Sequence, residues 1–366
     1  MRLTSVILIS FIFTFSSFSQ DYTLESPLDN TVSETSGLIF LDNILITHND
    51  SGNSNELYEI NTSTGDITRT VTITNSTNVD WEDLTYDNNY IYIGDFGNFD
   101  ATRTNLRIYR ISRNDYINSN SVTADVINFS YNEQTDFSVQ EFTTNFDAEA
   151  LIHYNNNLYV FTKNWADGNT NVYTVPKTPG TYSITAIDVL NTQGLVTGAT
   201  TSVDGSSIVL CGYDLNGSFF INLNGFSSGL FSNGSLTKTS INPPNSYSFQ
   251  TEGIAPINNN EYYVSAEAGN GNSQGLYSFN LSTLSTEDSQ PNRDVDFYPN
   301  PAKNFVQLNS EEYLASIYTI AGQLIKSFAT SKLDISDINS GLYILRLTPK
   351  SKVGEPLTHT FIIKGN

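Results

Sequence analysis

Short apolar runs separated by polar turns recur along residues 21–290 of the chain. Each unit begins with one apolar run, turns through Asn, Asp or Gly, and continues directly into a second run. These turns lie at 41–43, 87–89, 155–157, 204–206 and 258–260, and the runs that follow them lie at 44–46, 91–93, 158–160, 208–210 and 262–264. A third run follows each pair after a polar loop. Short runs bounded by such turns predict antiparallel β-strands.

The units repeat five times, at intervals of about 45–67 residues. Four-stranded repeats of this length are typical of the blades of a β-propeller. The fifth unit lacks a fourth strand, and we expect residues 22–25 to supply it, because closing the ring removes an exposed sheet edge. In the third unit the fourth strand is expected at 182–185. The predicted fold is all-β, a five-bladed propeller, with a sixth blade within 112–146 as the alternative.

The two ends of the chain carry other patterns. Residues 1–19 combine a basic start, an apolar stretch and the small residues of Ser17-Phe18-Ser19, which predicts a secretory signal peptide. The propeller is expected at 20–282 and a polar linker at 283–294. Short strands at intervals of about ten residues then predict a small Ig-like β-sandwich at 295–366. No segment after residue 19 is long and apolar enough to predict a transmembrane helix.

Acidic residues outnumber basic ones by 38 to 17, which gives a formal net charge of −21. Such a surface repels nucleic acid and anionic lipid, so we exclude both as partners, although it also serves solubility. Cys211 is the only cysteine, which excludes an intramolecular disulfide and a cysteine zinc site. It lies within an apolar run and is predicted to be a core residue.

Acidic side chains occupy the same place in several units. Glu82, Glu149 and Glu252 stand just before the first strand of units two, three and five. The start of a first strand lies beside the end of the second strand in an antiparallel hairpin. The three glutamates should therefore converge on one mouth of the central channel, together with charged residues at the ends of the second strands. Those residues are Asp50, Asp95, Lys163 and Glu267.

Convergent carboxylates repel one another unless a cation or raised pKa values relieve them. Oxygen ligands favour Ca²⁺ or Mg²⁺ over zinc, and Ca²⁺ tolerates an irregular cage better. We therefore predict a Ca²⁺ site at this mouth. Its expected ligands are Glu82, Glu149 and Glu252, with Asp50, Asp95 and Glu267 as a second tier. The alternative is that the glutamates bond to backbone amides or to Lys163 and only hold the blades together.

Catalytic candidates are few. His48 stands two residues before Asp50 and is the candidate general base, and Lys163 is the main basic residue of the predicted mouth. The sequence favours a polar loop residue over a catalytic base at His48. The sequence contains no Gly-rich phosphate loop, no nucleophile elbow and no paired-histidine metal motif.

Parts of the propeller resemble known families. The segments Glu34-Thr35-Ser36-Gly37-Leu38 and Asp80-Trp81-Glu82-Asp83-Leu84 resemble SdiA-regulated-type propellers. Those around Glu149 and Glu252 resemble phytase-like propellers, and the whole plan is similar to the five-bladed calcium-dependent apyrases. These resemblances imply a calcium-bearing propeller. They imply no activity, because the basic residues expected around a polyphosphate substrate are few.

The C-terminal segment closely resembles the type A sorting domain of type IX secretion. The resemblance extends over the full domain and follows its order. The matching residues are Tyr298, Pro299, Asn300, Pro301, Gly322, Gly341, Tyr343 and Lys364. It implies export through the periplasm and across the outer membrane by the type IX machinery, to the cell surface or the medium. An unrelated sandwich such as a carbohydrate-binding module is the alternative.

Two classes of function follow from these patterns. The first is an extracellular binding or structural module that holds Ca²⁺ and takes a glycan, peptide or small molecule on its aromatic loops. Those loops carry Trp81, Phe96, Phe99 and Trp165. The second is a Ca²⁺-dependent hydrolase of phosphoester, phosphoanhydride or lactone substrates at the channel mouth. The sequence favours the binding module, because no catalytic set is complete.

Overall fold

The computed structural model describes residues 20–214, 217–242, 250–269, 272–281, 297–320, 322–350 and 357–363. The expected signal peptide at 1–19, the linker at 283–294 and the terminal Lys364 lie outside these residues. Strands account for nearly all of the regular structure that is described. No helix among the described residues is long and apolar enough to cross a membrane.

Five units of strands follow one another in the first part of the chain. Two short strands, β1 (Gln20–Asp21) and β2 (Thr23–Pro27), and a 3-10 turn at Asn30–Val32 precede them. The first unit contains β3 (Thr35–Leu41), β4 (Ile44–Asn49), β5 (Glu56–Ile60) and β6 (Ile67–Ile73). The second contains β7 (Trp81–Tyr86), β8 (Tyr90–Asp95), β9 (Arg107–Ser112), α1 (Arg113–Asn118), β10 (Ser121–Val122) and β11 (Asp125–Tyr131).

The remaining units are built in the same way. The third contains β12 (Ala148–Tyr154), β13 (Asn157–Thr162), β14 (Thr170–Val175), β15 (Gly180–Ile184) and β16 (Asp188–Leu190). The fourth contains β17 (Leu195–Thr201), β18 (Ser207–Asp214), β19 (Gly217–Asn224), a 3-10 turn at Phe231–Asn233 and β20 (Ser235–Asn242). The fifth contains β21 (Thr251–Pro256), β22 (Glu261–Ala266) and β23 (Gly275–Asn280).

The first three strands of each unit pair antiparallel in one sheet, and the five sheets are the five blades of the propeller. The fifth blade is completed by β2, which pairs antiparallel with β23 through Thr23 and Ser278. The expected closure by the N-terminal segment is therefore confirmed. In addition, β1 pairs parallel with β20 at the outer edge of the fourth blade. The beginning of the described chain thus ties two blades together and covers their edges.

The alternative of a sixth blade is wrong. The stretch 112–146 supplies α1, β10 and β11, and these two strands join the first and second blades. The predicted fourth strand of the third blade is also misplaced. Strand β15 pairs parallel with β11 in the second blade, and β16 takes the outer position beside β14. An outer strand has one neighbour and one buried face at most, so the sequence pattern specifies its partner weakly.

Apolar side chains fill the space between every pair of adjacent blades. One cluster joins Leu57 of the first blade to Trp81 of the second, and similar clusters lie at the next three interfaces. The last cluster joins Leu276 of the fifth blade back to Leu38 of the first. The ring is therefore closed by packing between blades together with the pairing of β2 with β23, without a disulfide. Cys211 is buried in one of these clusters as an unpaired thiol.

The C-terminal part is a separate small β domain with its own core. Its strands are β24 (Phe297–Tyr298), β25 (Phe305–Leu308), β26 (Tyr313–Thr319), β27 (Leu324–Phe328), β28 (Lys332–Asp334), β29 (Gly341–Pro349) and β30 (Leu357–Ile363). They form sheets in the orders β24-β25-β28 and β27-β26-β29-β30, which share one buried apolar cluster. Gly322 takes a φ of 79° in a tight turn that few other residues tolerate.

Candidate functional site

Every innermost strand of the propeller is irregular at the same place. The pairing register shifts between Trp81 and Asp83, between Ala148 and Ala150, and at the equivalent positions of the other three blades. A β-bulge of this kind re-aims the side chain that it contains. The residues at these five irregularities include Ser36, Glu82, Glu149, Thr197 and Glu252. The three glutamates thus occupy equivalent positions around one mouth of the channel.

Two aspartates complete the tightest group of carboxylates at this mouth. Carboxylate oxygens of Asp50, Asp80 and Glu82 lie within 4.8 Å of one another. Glu82 is buried, whereas Asp50 and Asp80 are partly exposed. We call these three residues the Glu82 side of the mouth. Hard oxygen ligands at such separations suit Ca²⁺, which takes 6–8 of them.

The opposite part of the mouth contains its own cation. The Lys163 ammonium lies 3.3 Å from the Glu149 carboxylate. It also lies 5.0 Å from the ring of Trp165 and 5.3 Å from the ring of Tyr213. Burial alone lowers the pKa of Lys163, but the carboxylates around it, Glu149 first, outweigh burial and raise that pKa. We call Lys163, Glu149 and Glu252 the lysine side of the mouth.

No comparable partner reaches Glu82. Among the described residues, none forms an ion pair or hydrogen bond with the Glu82 carboxylate. The residue is buried, with 7% of its surface exposed. Burial and then the carboxylates of Glu149 and Asp50 raise its pKa well above the ordinary value. A buried carboxylate in this state either binds a proton or attracts a cation.

The backbone of Gly97 lies close against two carboxylates of the Glu82 side. A Cβ atom at this position would collide with Oε1 of Glu82 and with the carboxylate of Asp80. The Gly97 carbonyl accepts a hydrogen bond of 2.7 Å from Arg103, and its N–H donates to the carbonyl of Asp80. The loop after β8 is therefore held close to the two carboxylates, and only glycine permits that approach. The Glu82 side thus brings together hard oxygen ligands of the kind that a divalent cation prefers.

Burial and neighbouring negative charges also raise the pKa values of the other carboxyl groups at the mouth. Burial, followed by the charges of Asp50 and Asp147, raises the pKa of Asp80 to about 7. Burial also raises the pKa of Asp50 to about 6 and that of Glu267 to about 7, with Asp50 the next contributor to Glu267. The pKa of Glu252 rises through burial to about 8, although Lys163 opposes the shift. All of these shifts favour protons in the absence of another cation.

Asp95, a second-tier candidate, is engaged elsewhere. Its carboxylate accepts a hydrogen bond of 2.8 Å from Arg103 and lies 3.4 Å from Arg107. It also accepts from the backbone N–H of Asp80 at 3.2 Å. Arg103 in turn approaches the Asp80 carboxylate at 3.9 Å. Asp95 therefore anchors the loop that carries the site, and its charge is already compensated by two guanidinium groups.

Asp83 shows how the fold handles a carboxylate deep in the channel. Its oxygens accept backbone N–H groups from Leu84 at 2.7 Å, Leu151 at 2.7 Å and Ala199 at 3.4 Å. These donors belong to three different blades, so one side chain ties them together. The sequence left open that acidic residues here bond to backbone amides or pair with Lys163 instead of binding a cation. Asp83 does bond to backbone amides, and Glu149 does pair with Lys163. Neither alternative describes Glu82.

Several other candidates from the sequence are core residues. His48 is buried, its Nδ1 lies 2.8 Å from the carbonyl of Asn49, and its ring packs edge-on against Trp81. Burial lowers its pKa to about 4, so it is not a base at the mouth. Trp81 and Phe96, expected on binding loops, are also fully buried. Phe99 and Trp165 do lie on loops at the mouth, with 5.3 Å between their ring centroids, although Trp165 is also buried.

Sequence reasoning missed two carboxylates of the mouth, Asp80 and Asp147. Asp147 accepts hydrogen bonds from the Asn98 N–H at 2.6 Å and from the Trp165 indole at 2.7 Å. Both aspartates stand two residues before a bulge glutamate, in Asp80-Trp81-Glu82 and Asp147-Ala148-Glu149. That repeated spacing was the signal that identifies them, because side chains two apart in a strand point to one face.

Solved structures resemble the chain in fold only. One is the PQQ-bound aldose sugar dehydrogenase of Streptomyces coelicolor, at 9% identity and a TM-score of 0.38, covering 70% of this chain and 97% of that one. Another is a GH43 β-xylosidase/α-arabinofuranosidase from a compost metagenome, at 10% identity and a TM-score of 0.42, covering 71% of this chain and 94% of that one. A third is the periplasmic gluconolactonase of Pseudomonas aeruginosa, at 12% identity and a TM-score of 0.32, covering 86% of this chain and 88% of that one. No curated protein sequence matches the chain.

The C-terminal domain gives the specific match. Residues 296–364 match the family described as a secretion system C-terminal sorting domain. The motif residues found in the sequence fall within this range, where Gly341 and Tyr343 open β29 and the Asn300 side chain accepts the N–H of Ile362 at 3.0 Å. The chain thus ends in a type IX secretion sorting domain, and the protein is exported to the cell surface or the extracellular space.

Proposed function

We propose that the propeller is an extracellular binding module that holds Ca²⁺ on the Glu82 side of its mouth. The observation that carries the proposal is Glu82 itself, a buried carboxylate without a described partner, beside Asp50 and Asp80. Asp50, Asp80 and Glu82 would hold the ion, and the glycine at position 97 lets the loop after β8 pack against the carboxylates of Asp80 and Glu82. Glu149, a predicted ligand, pairs with Lys163 and so stands outside this proposed set.

Calcium titration of the full secreted chain tests this proposal. After treatment with a chelator, calorimetry should show one Ca²⁺ site, and saturation at 100 times Kd should stabilise the fold by about 2.7 kcal/mol. For a domain of this size that is a rise in Tm of roughly 5–10 °C. Absence of both binding heat and a Tm shift would refute the proposal.

Two variants locate the site. Glu82→Gln and Gly97→Ala should each abolish the Ca²⁺-dependent rise in Tm, because one removes a ligand charge and the other puts a methyl group against the carboxylates of Glu82 and Asp80 and displaces them. The matched control is Glu261→Gln, an exposed glutamate at the start of β22 and therefore at the opposite end of the propeller. It should retain the full response. Equal loss in all three variants would mean that Ca²⁺ acts elsewhere.

The second candidate function is a Ca²⁺-dependent hydrolase of phosphoester, phosphoanhydride or lactone substrates. One observation favours it: Glu267 is partly exposed at the mouth, and its pKa of about 7 suits a general base near neutral pH. We prefer the binding module, because His48 is buried away from the mouth and Lys163 is occupied by Glu149. Ca²⁺-dependent turnover that Glu267→Gln abolishes would reverse this preference.

A further inference from the structure

Three aromatic rings form a cluster beside the carboxylates. The ring of Phe99 lies 4.7 Å from that of Phe142 and 5.3 Å from that of Trp165, and Phe142 lies 5.4 Å from Trp165. All three pairs meet edge to face, so the cluster is well packed. We call these three residues the aromatic platform. They come from loops that follow β8, precede β12 and follow β13, all of which are at the mouth end of the channel.

The platform is continuous with the carboxylate site. Phe99 follows two residues after Gly97, whose Cα approaches the carboxylates of Asp80 and Glu82. On the other flank, the Trp165 indole donates to Asp147 at 2.7 Å. Two residues span at most about 7 Å of chain. A small ligand seated at the Glu82 side is therefore within reach of the platform.

One part of the platform faces solvent. Phe142 is 43% exposed, and two more apolar side chains of the same loop, Phe137 and Val139, are 40% and 64% exposed. Trp81 and Phe96, by contrast, are completely buried. An exposed apolar patch next to a polar cleft is typical of a recognition surface.

The charges around the platform restrict its ligand. Asp50, Asp80 and Glu82 outweigh one Ca²⁺, so anionic groups are repelled even from the loaded site. A basic ligand is opposed by two positive charges, the bound Ca²⁺ and the Lys163 ammonium, which lies 5.0 Å from the ring of Trp165 in the platform. Neutral hydroxyl groups remain. They are hard oxygen ligands of the kind that Ca²⁺ accepts beyond three carboxylates.

We infer that the mouth binds a neutral saccharide, with its hydroxyl groups at the Glu82 side and the apolar face of a sugar ring against Phe142. The inference rests on the proposed Ca²⁺ site. A sugar ring has both the polar edge and the C–H face that this pair of surfaces requires. The carboxylates supply the cation dependence, and the aromatic platform supplies the contact area.

Tryptophan fluorescence of the full secreted chain tests the inference. The chain contains two tryptophans, and of these only Trp165 belongs to the platform, while Trp81 is 0% exposed. We would titrate mannohexaose, cellohexaose and xylohexaose with Ca²⁺ and again with excess chelator. At least one should change the Trp165 signal with Ca²⁺ and lose tenfold or more in affinity without it. Trp165→Phe should remove the signal.

A matched pair of variants separates the saccharide from the ion. Phe142→Ala should weaken saccharide binding at least tenfold and leave the Kd for Ca²⁺ unchanged. The control is Ile187→Ala, which also removes an exposed apolar side chain and should change neither binding constant. The inference would be overturned if saccharide binding did not depend on the chelator, or if hexalysine or hexagalacturonate bound more tightly. It would also be overturned if none of the three saccharides bound the Ca²⁺-loaded protein. Failure to bind Ca²⁺ at all would instead refute the proposed function.

Discussion

The two sides of the channel mouth differ in how the negative charge of their carboxylates is compensated. On the lysine side, the ammonium of Lys163 lies 3.3 Å from Glu149 and compensates its charge from within the chain. On the Glu82 side, the carboxylates of Asp50, Asp80 and Glu82 meet within 4.8 Å, and among the described residues the one cation within ion-pair distance is Arg103, at 3.9 Å from Asp80. Buried carboxylates need a cation in either case. One side carries its cation, and the other is expected to take one from solution.

The largest effect should come from removing the internal cation. Lys163→Met leaves Glu149 buried and unpaired, because the Lys163 ammonium is its ion-pair partner. Breaking a buried pair in this way costs about 3–5 kcal/mol. Chemical denaturation with a chelator present should therefore show a fall in the free energy of unfolding of that size.

The double variant Lys163→Met with Glu149→Gln controls for lost packing. It should recover part of the stability, because no unpaired charge remains on that side. If the double variant is as unstable as the single one, Lys163 acts through its contacts with Trp165 and Tyr213 and the comparison between the two sides fails.

A smaller effect should distinguish the two glutamates by sign. In the absence of Ca²⁺, Glu149→Gln should destabilise the fold by about 2–3 kcal/mol, because Lys163 loses its partner. Glu82→Gln should stabilise it by roughly 1 kcal/mol, because an uncompensated buried charge disappears. Parallel denaturation curves of the two variants measure both changes. The same sign in both would show that the mouth behaves as one undivided cluster.

The last effect concerns pH and is of the same order as that of Glu82→Gln. Carboxyl pKa values in the folded protein exceed the ordinary 3.8 and 4.5, reaching about 7 for Asp80 and about 8 for Glu252. Raised carboxyl pKa values stabilise the folded state below about pH 4, and this contribution is lost as the pH rises through about 6–8. With a chelator present, stability should therefore fall by on the order of 1–2 kcal/mol between pH 5 and 8.

Calcium should reverse this pH dependence. Because Ca²⁺ binds the ionised carboxylates, saturating Ca²⁺ should make the protein more stable at pH 8 than at pH 5. Thermal unfolding at both pH values, with and without Ca²⁺, gives the four measurements required. The same slope in the presence and absence of Ca²⁺ would contradict a site on the Glu82 side.

Much of the molecule was predictable because it repeats. Turns at regular intervals predict the blades, and the missing fourth strand of the fifth unit predicts that β2 completes the ring. The equivalent positions of Glu82, Glu149 and Glu252 follow from the same repeat, since equivalent residues of a closed ring face one another. The sorting domain was predictable for a different reason, the specific motif residues in its sequence.

Other features depend on contacts that no local pattern encodes. Strand β4 is buried on both faces, so alternation along it does not show that His48 packs against Trp81. The arginines that engage Asp95 lie in or after an irregular loop. Strand β15 crosses to the edge of a neighbouring blade, where the pattern of its own residues is compatible with either sheet.

The sequence by itself determined the class of fold, the number of repeats, the secretion signal at the C-terminal end and the presence of acids at one mouth. The tertiary structure decided which of these acids have a partner. Lys163 interacts electrostatically with both Glu149 and Glu252, and in the folded protein its ammonium lies near the rings of Trp165 and Tyr213 and forms its ion pair with Glu149. Charge compensation depends on distances of a few ångströms across blades, and a repeat in the sequence does not specify them.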